Sequence, residues 1–165
     1  MFMRRSLLLL PTLVLVAAPS AFACLCGGTG VEKSFKEATA IFTGKFLRSE
    51  YRKGIKNQFR AMHFEYSEKR VDYEVLSYVF EADRWWKGTP TRAVVLYTDH
   101  TRDPDGSEHI SDCDVGFEAG RKYLIYAYGE GDEFGTGACT LTKRISRAAK
   151  DINTLNKLAR PVATQ

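Results

Sequence analysis

The sequence predicts a mainly β domain, about five strands with a short helix before them and a longer one after. Three stretches carry that prediction. Val71 to Trp86 alternates Tyr73, Val75, Ser77, Val79 and Glu81 with Glu74, Leu76, Tyr78, Phe80 and Ala82. Its apolar residues fall on both faces, which suits a strand curled within a barrel. Ala93-Val94-Val95-Leu96-Tyr97 is an apolar run with two β-branched valines at its centre. Ile145, Ala148/Ala149, Ile152, Leu155 and Leu158 recur at helical spacing instead, as one face of an amphipathic helix.

The first 23 residues read as an export signal, not as part of this domain. Arg4 and Arg5 form a positive n-region, Ser6 to Ala18 an apolar h-region, and Ala21-Phe22-Ala23 a small-x-small cleavage site. The apolar run of 13 residues is shorter than the roughly 20 that span a bilayer, so no membrane span is expected. The expected location is secreted or periplasmic. A lipoprotein signal, with Cys24 acylated, competes with simple cleavage, but Phe22 and the absence of Leu at position 21 fit it poorly.

Cleavage leaves 142 residues from Cys24 to Gln165, the size of one domain. Without Arg4 and Arg5 the 24 Lys and Arg fall to 22, against 20 Asp and Glu, for a net charge of +2. That balance gives no electrostatic footing for nucleic acid.

Four cysteines in an exported chain read as two disulfides. A bridge between Cys24 and Cys26 would close a strained ring across one residue, so the two sulfurs should reach Cys113 and Cys139, in either pairing. Each such bridge closes a loop of roughly 90 to 115 residues, for which chain entropy gives at most about 4 to 5 kcal/mol. A four-thiolate zinc site is disfavoured because Cys-x-Cys followed by two isolated cysteines lacks paired Cys-x-x-Cys spacing.

In chain order, Gly27-Gly28-Thr29-Gly30 is a flexible turn, and Val31 to Ala38 a short helix with Val31, Phe35 and Ala38 on one face. Ala40 to Leu47 is a strand with a bulge or bend expected at Gly44. Arg48 to Arg70 is basic and aromatic without a clean period. It reads as a hairpin extension or excursion loop, or as an arm contacting a partner. Trp85 and Trp86 should point to opposite sides, one packing inside and the other covering the surface.

Asp99 to His109 is expected to be a polar loop, with His100 and His109 solvated or hydrogen-bonded. Its acids miss the EF-hand spacing, and Asp-Pro-Asp-Gly is turn chemistry. Arg121 to Tyr128 reads as a strand, and Gly129 to Gly137 as a glycine- and acid-rich turn that returns Cys139 to the sheet. Thr142 or Ser146 is the expected cap of the last helix, which Pro161 ends.

Taken together, Cys24-Leu25-Cys26 after the cleavage site, Phe42-Thr43-Gly44, Trp86-Lys87-Gly88, Cys113-x-x-x-Phe117-x-x-Gly120-x-x-Tyr123-Leu124-x-Tyr126-Ala127, Ala138-Cys139 and a closing helix resemble the netrin-like module shared with the tissue inhibitors of metalloproteinases. The signal segment suggests a bacterial member. The resemblance spans nearly the whole chain after the signal and implies an OB-like five-stranded Greek-key barrel, with Cys24 paired to Cys113 and Cys26 to Cys139. It also implies a mechanism. The α-amino nitrogen and carbonyl oxygen of Cys24 would chelate the zinc of a partner metalloprotease, and Leu25 would enter its specificity pocket. The only metal contact is then backbone chelation by Cys24 of the partner's zinc, and no cofactor is implied. No Ser-His-Asp arrangement, His-Glu-x-x-His motif or paired-carboxylate helix emerges, so the sequence reads as a binding protein and not an enzyme. The other reading is a non-inhibitory binding or adhesion module that uses the 48–70 arm.

Overall fold

The computed structural model describes residues 30–53, 73–130 and 133–164, together with Cys24, Cys26 and Gly28. Residues 1–23, read above as an export signal, together with Leu25, Gly27, Thr29 and the greater part of the basic arm, 54–72, lie outside the described residues.

The chain is mainly β, with two short helices. Helix α1 (Val31–Glu37) leads into strand β1 (Ala40–Lys53), followed by β2 (Glu74–Lys87), β3 (Ala93–Arg102) and the short β4 (Glu108–His109). Then come β5 (Lys122–Glu130), β6 (Glu133–Gly135), β7 (Lys143–Arg144), helix α2 (Ala149–Leu158) and β8 (Val162–Ala163). Five strands close a ring. β1 pairs antiparallel with β2 and β5, β2 with β3, and β5 with β6, while β3 and β6 meet in parallel.

Alternation along the strands separates two apolar layers. Inside the ring lie Phe42, Phe46, Phe80, Ala82, Trp85, Val94, Leu96, Tyr123 and Ile125, with Phe117 packed against them. Phe42 stacks on Trp85 at 4.7 Å, and Phe117 meets Phe80 and Tyr123 edge-on at 5.0 and 4.8 Å. Outside the ring, Ile41, Trp86, Leu124 and Tyr126 form a second layer with Ala148 and Leu155, against which Val31, Phe35 and Ile152 pack. Both helices therefore cover one outer face of the ring.

The tryptophan pair divides as alternation requires, but neither ring is left at the surface. Trp85 is 1% and Trp86 5% exposed, because α2 lies over Trp86 and Asn156 accepts its indole N–H at 2.8 Å. Gly44 sits at a register irregularity, where an added Cβ would come within 3.2 Å of the Glu81 carbonyl oxygen.

Four local expectations are corrected. Residues 99–102 are not loop: they continue β3, and with Glu108–His109 they form a hairpin in which Thr101 pairs with His109 and Arg102 with Glu108. Their polar side chains suit a strand whose outer neighbours are polar too, as Arg102 is paired with Glu74 and stacked on Tyr51. The 129–137 turn contains β6, which closes the ring by pairing Leu96 with Phe134 and Tyr97 with Gly135. Gly135 permits this approach, since a Cβ there would lie 3.3 Å from the Tyr97 carbonyl oxygen.

The last helix starts later than its periodicity suggests. Ile145–Arg147 is a turn of 3-10 helix, and neither Thr142 nor Ser146 caps α2. Thr142 is committed elsewhere. Its Oγ1 accepts the Tyr126 N–H at 3.0 Å, while Thr136 donates to the Tyr126 carbonyl at 3.0 Å and lies 2.8 Å from Thr142. The helix ends at Leu158, ahead of Pro161, and beyond it Val162 and Ala163 pair with Trp85 and Arg84 on β2.

Candidate functional site

The two segments that meet the N-terminal cysteines are joined to each other before any sulfur is considered. The Cys113 carbonyl accepts the Ala138 N–H at 2.7 Å. A Cβ on Gly137 would come within 3.0 Å of that same carbonyl oxygen, so glycine is what lets the segments approach. Cys113 and Cys139 are thus held on adjoining backbone.

The disulfides link Cys24 to Cys113 and Cys26 to Cys139, with Cα separations of 5.7 and 4.9 Å. These are the pairs the family resemblance implies. Two anchors on adjoining backbone fix both ends of the tripeptide, and Leu25 between them lies outside the described residues. Cys24 is partly buried and Cys26 exposed.

The segment that carries Cys113 is ordered by polar contacts from its own start. Ser111 Oγ accepts the Cys113 N–H at 3.2 Å, and Asp114 Oδ1 accepts the Asp99 N–H at 3.4 Å. Burial raises the Asp114 carboxyl pKa to about 6. The Asp99 N–H counteracts this, the Asp99 charge adds to it, and His100 opposes it. Asp99 itself is raised by burial. The pair is not legible in the sequence, because its members are 15 residues apart and the first falls in a stretch whose composition is that of a loop.

The described part of the basic arm is a ribbon, with β1 paired to β2 from Arg48–Val79 to Lys53–Glu74. Its charges face one another: Arg48 donates to Glu50 at 2.7 Å and Arg52 pairs with the same carboxylate. The guanidinium of Arg102 lies 3.8 Å from the centre of the Tyr51 ring.

His100 and His109, expected in a loop, stand instead on β3 and β4. His109 Nε2 lies 3.1 Å from Asp103 Oδ2, and His100 Nε2 lies 3.2 Å from Tyr51 Oη. Among the described residues no group of three His, Cys, Asp or Glu side chains is arranged to hold a metal ion. Nor is any described helix long and apolar enough to cross a membrane.

Compared with models of known protein families the chain matches none, and no curated protein matches it.

Proposed function

We propose that this chain is an exported, disulfide-stapled binding protein that inhibits a zinc metalloprotease through Cys24-Leu25-Cys26, as a relative of the netrin-like modules. The observation that carries the reading is the Cys113–Ala138 hydrogen bond beneath the two disulfides, which holds two cysteines one residue apart on adjoining anchors. A segment fixed in this way loses little conformational freedom on binding, and preorganisation is what a short inhibitory ridge needs. The ring order β1-β2-β3-β6-β5, closed by one parallel contact, supports the OB-like Greek-key barrel that the resemblance implies.

In this reading, cleavage after Ala23 frees the α-amine of Cys24. With an ordinary pKa of roughly 7.7 to 8.0 that amine has an accessible neutral form, which zinc captures together with the Cys24 carbonyl oxygen. Leu25 is the residue that this reading assigns to the partner's apolar pocket.

The test compares protein beginning at Cys24, verified by intact mass, with protein carrying one additional alanine before it. Both are titrated against a panel of zinc metalloproteases. Inhibition by the first and its loss in the second is the expected outcome. Equal inhibition by both, or none by the protein that begins at Cys24, refutes the proposal.

A further inference from the structure

The β1–β2 ribbon and the β3–β4 hairpin bring three side chains to one point. Tyr51 comes from β1, His100 from β3 and Glu108 from β4. Tyr51 Oη lies 2.8 Å from Glu108 Oε1 and 3.2 Å from His100 Nε2, and His100 Nε2 lies 3.4 Å from Glu108 Oε2. All three distances are among donor atoms, each of which carries a lone pair once its proton is gone. We propose that Tyr51, His100 and Glu108 form a binding site for a divalent transition-metal ion, with zinc as the reference.

Spacing is the first argument. Ligands at the roughly 2.0 to 2.1 Å typical of zinc stand about 2.9 Å apart in octahedral and about 3.3 Å apart in tetrahedral geometry. The observed separations of 2.8, 3.2 and 3.4 Å span that range, but Glu108 turns Oε1 to Tyr51 and Oε2 to His100. An ion is therefore taken up either by both carboxylate oxygens or after a small rotation that brings one oxygen to both neighbours, with water completing its shell. Chemistry is the second. An imidazole, a carboxylate and a phenol form the mixed nitrogen and oxygen set that suits zinc or copper, and not calcium, which takes oxygen ligands only. Placement is the third: His100 is 15% exposed at its side chain and Glu108 40%, so one ligand is held by packing and the site is reached from solvent.

Arg102 does not occupy the triangle. Its guanidinium is paired with Glu74 and stacked on the face of the Tyr51 ring; the phenol pKa is raised, first by burial and then by Glu108, with the Arg102 charge opposing. On coordination the phenol proton that Glu108 accepts passes to solvent, and the oxygen binds the ion. The neighbouring Asp103–His109 pair supplies a built-in control. His109 follows Glu108 on the strand and therefore points to the opposite face.

Zinc titrated calorimetrically into the chelator-treated, dialysed exported protein should bind at one ion per chain. His100→Ala and Glu108→Gln should each weaken it at least about tenfold, and Tyr51→Phe should weaken it too. His109→Ala should leave it unchanged, as should an additional alanine before Cys24, since the site uses no atom of that segment. With copper in place of zinc, electron paramagnetic resonance should show a single imidazole nitrogen, absent in His100→Ala. Should His100→Ala not fold, Glu108→Gln carries the test, because that side chain is part-exposed and keeps its shape. Absence of binding, unchanged affinity in folded Glu108→Gln, or an equal loss in His109→Ala overturns the proposal.

Discussion

Asp114 accepts the backbone N–H of Asp99 at 3.4 Å, and this contact sets two partly buried carboxyl groups against each other beside the Cys24–Cys113 disulfide. A raised acid pKa fixes the sign of its contribution. Between the ordinary value of 3.8 and about 6 the folded protein keeps a proton that the unfolded chain has lost, so stability falls as pH rises through that window and levels off above it. Allowing for solvent screening of a partly exposed group, the penalty above pH 6 is about 1 to 2 kcal/mol. Asp114→Asn should remove it. Urea unfolding should find the variant more stable than wild type at pH 7.5 and equal to it near pH 4. A difference that does not change with pH would contradict this account.

The glycines that share a positive φ differ in what surrounds them. Gly88 has φ +92°, and a Cβ there would lie 3.1 Å from the Ala40 Cβ and 3.2 Å from the Trp85 ring. At Gly120, φ is +77° and an added Cβ would come no nearer than 4.0 Å to the end of Lys45. Gly120→Ala should therefore cost about 1 kcal/mol of backbone strain, and Gly88→Ala about 2 to 3 kcal/mol, because a contact is added to the strain. Thermal melts of the two variants measure the order, and a larger loss at Gly120 would be inconsistent with it.

Trp85 and the partner of Trp86 test the two apolar layers separately. Trp85→Ala empties the ring interior beside Phe42 and should cost about 3 to 5 kcal/mol. Asn156→Ala removes only the acceptor of the Trp86 indole and should cost about 1 kcal/mol. Chemical denaturation followed by far-ultraviolet circular dichroism gives both values.

Removing either disulfide as a pair of serines, Cys24→Ser with Cys113→Ser or Cys26→Ser with Cys139→Ser, should lower stability by about 2 to 4 kcal/mol. Because the Cys113–Ala138 hydrogen bond remains in both, the ring itself should persist, with a near-native far-ultraviolet spectrum at room temperature. Loss of the β signal on removing a single bridge would show that the sulfurs hold more than the N-terminal segment.

Long strands with strong alternation could be read from residues alone, as β2 and the start of β3 were. The tryptophan pair's division was legible for the same reason, since period-two geometry is local. Burial of Trp86 was not, because it depends on where α2 docks. Residues 99–102 were hidden by polarity: Arg102 stays in a strand through Glu74 and Tyr51, partners 28 and 51 residues away. β6 was hidden by brevity, as three residues with a glycine carry no alternation. Thr142 looked like a helix cap because a threonine before a helix usually is one, yet the Tyr126 peptide claimed its hydroxyl. At the candidate site, the cysteines were legible as a staple, whereas the backbone bond that joins their anchors left no trace in the sequence beyond Gly137.

The threonine hydroxyls on Tyr126 have a further consequence. A strand edge with open peptide groups is a template on which a second molecule can extend the sheet, and that is how β proteins begin to aggregate. Tyr126 lies buried between the parts of β5 that pair with β7 and with β6, and there Thr136 and Thr142 answer its N–H and carbonyl with side chains, which satisfy the hydrogen bonds without continuing the ladder. Two hydroxyl groups thus close a gap in the sheet that would otherwise leave a buried peptide unsatisfied.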